Sequence, residues 1–169
     1  YYHVRIYYLI VFILISVCAL SQEIPPIQQF KSEISFAGNQ NWMISQDEKG
    51  AIYFANNKGL LHFRGTEWEL NTSPNQSIIR SVKVIDDKVC MGSYMDFGYW
   101  EKSDTDKLIY TSLAKELNIK PLEDEQFWNI IDFGEKIIFQ SLDRLVITDV
   151  GSKQKQFVET ENTLLKCYK

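Results

Sequence analysis

Trp42-Met43-Ile44-Ser45-Gln46-Asp47-Glu48-Lys49-Gly50-Ala51-Ile52-Tyr53-Phe54-Ala55-Asn56-Asn57-Lys58-Gly59-Leu60-Leu61-His62-Phe63 alternates short apolar runs with turn residues and shows no helical periodicity. Ile44 to Asp47 runs into the turn Glu48-Lys49-Gly50, and Ala51-Ile52-Tyr53-Phe54 resumes as a strand. Asn56-Asn57-Lys58-Gly59 turns again, and Leu60-Leu61-His62-Phe63 makes a third strand. Arg64-Gly65-Thr66 leads to a fourth strand around Trp68-Glu69-Leu70. Strands this short, joined by turns this tight, read as one antiparallel meander.

The unit recurs downstream. Ile78 to Val84, Lys88 to Gly92, Phe97 to Trp100 and Leu108-Ile109-Tyr110 form a second set, with Asp86-Asp87 at its first turn. Phe127 to Ile131, Lys136 to Phe139, Leu145 to Thr148 and a strand near Gln156-Phe157-Val158 form a third, turning at Gly134-Glu135. Ile44, Val82 and Ile130 stand about 38 and 48 residues apart, the spacing of propeller blades. The longer gap holds an insertion from Ser112 to Gln126, where Leu113 to Leu117 makes one or two helical turns before Pro121 stops them. The expected fold is therefore all-β: about three β-propeller blades, each a four-stranded antiparallel meander, of an incomplete propeller. A blade buries its faces only by stacking on neighbours, and three blades do not close a ring, so the native protein is expected to continue past Lys169.

Blade 1 is read over 41–77, blade 2 over 78–111, the insertion over 112–126 and a truncated blade 3 over 127–169. Ahead of them, 22–40 is an extended lead-in, where Pro25 and Pro26 block helix. Residues 1–21 read as a signal peptide: His3 and Arg5 start it, Ile6 to Leu20 is almost unbroken apolar sequence, and Ala19-Leu20-Ser21 offers a cleavage site that leaves Gln22 first. A retained anchor is the alternative, although about 15 apolar residues fall short of the roughly 20 that span a bilayer. A lipoprotein signal at Cys18 is a further variant, with the bulky Val17 against it. A chain that starts with Tyr1 and not Met is expected to be truncated at its N-terminus.

The 169 residues are 45% hydrophobic and 24% charged, a globular composition. Eighteen Lys and Arg against 22 Asp and Glu give a net charge of -4 with no basic block, which excludes nucleic-acid binding by this segment. Of three cysteines, Cys18 would leave with the signal. Cys90 and Cys167 would remain and could pair in an oxidising compartment, while a buried Cys90 in a strand is the expected state.

The run from Trp42 to Leu60 resembles the two-component regulator propeller repeat, with Gln46-Asp47 before the turn glycine Gly50, the strand Ile52-Tyr53-Phe54, a small turn and Gly59-Leu60. Gly38 to Trp42 and Met91 to Trp100 resemble the first blades of bacterial exported sensors that carry such propellers. Tyr53 stands where that repeat usually has tryptophan, Asn56 where threonine is frequent, and the second and third units lack a clean Gly-Leu. The resemblance implies one or two propellers, a triple-tyrosine Ig-like domain, a transmembrane helix and a cytoplasmic output. That output is a histidine kinase, as in hybrid sensors, or a LuxR-type helix-turn-helix. It also implies a periplasmic location, a glycan or other small extracellular ligand, membrane attachment only through a downstream helix, and dimerisation of the full-length protein.

Repeat alignment puts Asn41 with Trp42, Arg80, and Trp128 with Asn129 at equivalent places near the starts of inner strands, where propellers line a channel. Tryptophan faces with Arg and Asn donors would suit a sugar. The other reading packs Trp42 and Trp128 between blades, since aromatics are first of all core material in this architecture. Tyr94 and Asp96, in the aromatic run Tyr94 to Trp100, either line a recognition surface or belong to a bulged strand in which Gly98 relieves a tight approach. His62 is the one histidine outside the signal, and no catalytic or metal motif is present, so no catalytic residue, metal or cofactor is expected. Asp47 reads as an Asx-type cap on a hairpin, and Asp86-Asp87 and Asp124-Glu125 as solvated loop residues. A ligand-sensing, non-enzymatic propeller of a signalling or transcription-regulating protein is the expected function. A propeller lyase or hydrolase, or a secreted adhesion or scaffold propeller, stand as alternatives.

Overall fold

Asp47 closes the first hairpin with its side chain: Oδ1 accepts the backbone N–H groups of Lys49 and Ala51, at 3.0 and 2.8 Å. This is the expected Asx-type cap, and it fixes where β1 (Asn41–Gln46) ends and β2 (Ile52–Asn56) begins. β3 (Gly59–Arg64) and β4 (Glu67–Asn71) complete an antiparallel sheet in the order β1-β2-β3-β4. The second sheet runs β5 (Ile79–Ile85), β6 (Lys88–Ser93), β7 (Phe97–Lys102), β8 (Leu108–Ser112), and the third β9 (Asn129–Phe133), β10 (Lys136–Gln140), β11 (Arg144–Thr148), β12 (Lys155–Glu159). Three four-stranded antiparallel meanders, propeller-like blades of an incomplete propeller, are the expected fold.

These coordinates come from a computed structural model that describes residues 1–18, 26–27, 29–30, 36–149, 155–159 and 163–165. The chain divides into two compact units, Tyr1–Phe30 and Lys31–Lys169. The first contains helix α1 (Tyr2–Cys18). Among the described residues no helix is long and apolar enough to cross a membrane. The cleavage site at Ala19-Leu20-Ser21, the start of the lead-in at Gln22 and the pairing of Cys90 with Cys167 fall outside the described residues.

The apolar side chains of the second unit gather in two clusters, each between neighbouring sheets. Tyr53, Ala55 and Leu60 of the first sheet meet Ile79, Val82, Val89, Met91 and Trp100 of the second. Cys90 and Phe97 of the second meet Phe127, Ile130, Ile137, Phe139 and Val146 of the third. Strand alternation makes this possible: in β6, Val89 and Met91 face one cluster and Cys90 the other. Neighbouring strands in the three sheets hold their antiparallel register, with two breaks. One lies between Asn41 and Met43, which leaves Trp42 as the extra residue, and the other between Ile79 and Ser81, which leaves Arg80.

Strand β7 pairs with β6 and β8 without a register shift, so the bulge weighed for Tyr94–Trp100 is not there. The tight approach at Gly98 is: a Cβ on it would stand 2.1 Å from the Thr111 carbonyl oxygen. The insertion carries α2 (Leu113–Glu116), started by Ser112, whose Oγ accepts from the Lys115 N–H. Leu113, Ala114, Leu117 and Ile119 sink into the second cluster, so the insertion is core as well as connection.

Candidate functional site

Trp42, Arg80 and Trp128 converge where the first strands of the three sheets begin. The two bulges turn Trp42 and Arg80 out of the alternating pattern of β1 and β5, and Trp128 lies immediately before β9, its N–H donating to the Gln140 carbonyl at 2.8 Å. The Arg80 guanidinium carbon stands 4.2 Å from the Trp42 ring centroid and 4.5 Å from that of Trp128. The two indoles meet edge-on at 5.8 Å. One face of each tryptophan is therefore taken by a protein cation, an arrangement in which the ring quadrupoles attract the charge.

The cluster is held from outside. The Trp42 indole N–H donates to Asn57 Oδ1 at 2.7 Å, and Arg80 Nε donates to Gln126 Oε1 at 2.7 Å. Asn56, fully buried, pins the segment leading into β1: its Nδ2 donates to the carbonyls of Gly38 and Gln40 and to Asn41 Oδ1, and its Oδ1 accepts from the Gly38 and Lys58 N–H groups. Among the described residues Arg80 Nη1 is buried with no hydrogen-bond partner and no carboxylate pairs with the guanidinium. Desolvation by burial pushes the Arg80 pKa down. Beside it opens a cavity of about 320 Å³ lined by Gln76, Ser77, Ile78, Arg80, Tyr94 and Gln126.

Of the seven residues singled out from the sequence, Trp42, Arg80 and Trp128 come together, Tyr94 joins Arg80 at the cavity, and Asn41 accepts from the buried Asn56. The Tyr94 hydroxyl donates to Asp124 Oδ1 at 2.6 Å, and that hydrogen bond pushes the phenol pKa up. Asp96 and Asn129 lie elsewhere. Asp96 is buried and accepts from the Phe97 N–H, the Tyr110 hydroxyl and the Ser112 hydroxyl, tying β7 to β8. Asn129 is buried and donates to Gln140 Oε1 at 3.2 Å. Glu125 departs from the solvated state expected of it: 1% exposed, it meets the 5% exposed Arg144 in a double contact, Nε to Oε1 at 2.9 Å and Nη2 to Oε2 at 2.7 Å.

Gln126, Asn57 and the Glu125–Arg144 pair were missed from the sequence. Only the Asn56-Asn57 turn carried a local signal, as a dipeptide suited to a hairpin end. A separate cleft of about 390 Å³ runs between the β1–β2 turn and the second sheet, lined by Asp47, Tyr53, Asp86, Asp87 and Lys102 among others. The Asp47 carboxylate there is already committed to the turn and to the Tyr53 hydroxyl. Among the described residues no group of His, Cys, Asp and Glu is placed to hold a metal.

No family model and no curated protein matches the chain. Among solved structures it is similar to the extracellular domain of BT4673 from B. thetaiotaomicron, in a structure described as that of a one-component system, with a TM-score of 0.55 and 16% identity over 77% of this chain. A second structure of the extracellular domain of BT4673, described as a hybrid two-component system, gives 0.52 and 17% over 78%. The chain spans 16% of the length of each. At this identity the likeness concerns the fold.

Proposed function

We propose that this chain belongs to the exported, periplasmic sensory region of a bacterial signal-transduction protein of the two-component regulator propeller type, and that it works by binding a ligand and not by catalysis. The ligand is a small extracellular molecule, with a glycan as the class that the repeat resemblance implies. It docks at the cavity lined by Arg80, on which Trp42 and Trp128 pack. The observation that carries this reading is the convergence of Trp42, Arg80 and Trp128 from equivalent positions of three sheets, two of them raised out of their strands by matching bulges, with Arg80 lining the adjoining cavity. Strand-start convergence is where propellers place ligand sites. The likeness to extracellular domains of a two-component system supports the sensory part of the proposal.

Tryptophan fluorescence supplies the test, because Trp42 and Trp128 both pack on Arg80, which lines the cavity. A panel of neutral and acidic oligosaccharides is titrated into the full chain. At least one is expected to change the emission and raise the melting temperature, with both effects lost in Trp42→Ala. A panel in which no member produces either change removes the ligand-binding reading.

A further inference from the structure

Among the described residues the Arg80 guanidinium is a cation that polar pairing inside the protein leaves unexplained. It is partly buried, its Nη1 reaches no partner, and its one hydrogen bond among the described residues goes to a neutral amide oxygen of Gln126. Three other cations that are buried or half-buried meet carboxylates: Arg144 with Glu125, Lys88 with Glu101, Arg64 with Asp106. Removing a cation from water without a counter-ion is costly, and two indole faces recover only part of that cost. The cavity beside it continues the pattern, since Gln76, Ser77, Ile78, Tyr94 and Gln126 bring no carboxylate to its wall. Asp124 receives the Tyr94 hydroxyl and is not part of the lining. On a chain of net charge -4, this is a local cationic hollow.

We infer that the ligand taken up beside Arg80 is an acidic saccharide, whose carboxylate supplies the counter-charge that the protein withholds from Arg80. This rests on the ligand-binding reading above and narrows it to a charge class. The same geometry alters the part played by the tryptophans. With one face of each turned to the guanidinium, they hold the cation in place, and charge recognition at Arg80 sets the preference among sugars. Gln126 fixes the direction of the guanidinium through Nε, and a guanidinium held in a fixed plane presents a directed positive charge to a carboxylate.

Titration calorimetry on the full chain tests this with a hexuronic-acid trisaccharide and its carboxyl-reduced, neutral counterpart, each at low and high sodium chloride. The acidic trisaccharide is expected to bind at least ten-fold more tightly than the reduced one, and the gap is expected to shrink with salt. Arg80→Met, which keeps the stem between the indoles and removes the charge, is expected to abolish the gap. Equal or tighter binding of the reduced trisaccharide overturns the inference, as does a gap that survives Arg80→Met. Both of those outcomes leave a glycan site standing. Should neither trisaccharide bind while a neutral member of the wider panel does, only the charge assignment falls. If no glycan binds at all, the ligand reading falls with it. The wild-type comparison of the two sugars decides the matter even if the variant fails to fold.

Discussion

His62 lies against Tyr53 with ring centroids 4.4 Å apart and planes 9° from parallel, 1% exposed, and its Nε2 has no partner among the described residues. Burial, then the nearby Arg64 charge, pushes its pKa below the ordinary 6.5. The unfolded chain therefore binds the proton more readily than the folded one. The stability this neutral ring contributes is present above about pH 6.5 and is lost as pH falls through the lowered folded value. Urea midpoints measured at pH 7.5 and pH 5 are expected to differ more in the natural protein than in His62→Phe. Equal differences would remove His62 from the acid limb. Tyr53 acts at the other end: burial first, with Asp47 adding, raises its phenol to about 12, so its contribution is intact below pH 10 and disappears as pH rises through about 12. Gly92 answers to space and not to charge. A Cβ there would stand 2.6 Å from the Phe127 carbonyl oxygen and 2.5 Å from Ser81 Oγ, where Ser81 already donates to Phe127 at 2.9 Å. Gly92→Ala forces β6 away from the start of the third sheet and is expected to cost about 1–3 kcal/mol of unfolding free energy. A loss below about 0.5 kcal/mol would show that the strands can part at no cost.

At the scale of the element, the three consecutive residues Asp124, Glu125 and Gln126 fasten the end of the insertion to three places. Asp124 takes the Tyr94 hydroxyl, Gln126 takes Arg80 Nε, and Glu125 forms the buried pair with Arg144 on β11. Glu125 also accepts the Leu122 N–H on its side chain and the Met95 N–H on its carbonyl, and Arg144 reaches the Lys120 carbonyl. Removing one member leaves a buried charge alone, so Glu125→Gln and Arg144→Met are each expected to destabilise by about 3–5 kcal/mol, and the double substitution by less than their sum. A denaturant series across that cycle measures the coupling, and strict additivity would mean that the two side chains act independently. The strands were readable from sequence because each is bounded by its own turn residues: Asp47 with Gly50, Asp86-Asp87, and Gly134 all fall where a strand stops. Glu125 was not, because its burial is decided by Arg144, 19 residues away, and nothing local separates it from the exposed Asp124 beside it. The site was half readable for the same reason. Repeat alignment brings Trp42, Arg80 and Trp128 to equivalent positions, but whether Arg80 faces a ligand or two indoles depends on bulges and neighbours that the alignment does not contain.

For the whole second unit, the middle sheet is the element on which the others depend, since both apolar clusters are built across its two faces. A sheet of this kind has no core of its own, and stability arises from the contact with its neighbours. Cys90 reports on that contact. It is 0% exposed in the cluster shared with the third sheet, and burial raises its thiol to about 12, so it is neither accessible nor a thiolate in the intact protein. Cutting after Ser112 removes Leu113, Ala114, Phe127, Ile130, Ile137, Phe139 and Val146 from around it while leaving every residue of the other cluster in place. The fragment ending at Ser112 is therefore expected to keep strand structure by circular dichroism, to melt at a lower temperature, and to alkylate at Cys90 at least ten-fold faster than the intact chain, as read by peptide mass spectrometry. Protection of Cys90 in the fragment would mean that the second sheet closes its own face. Loss of all strand signal would mean that the first two sheets need the third to fold. Only the intermediate result fits two clusters of separate origin joined through one sheet, the arrangement that alternation along β6 dictates, with Val89 and Met91 turned one way and Cys90 the other.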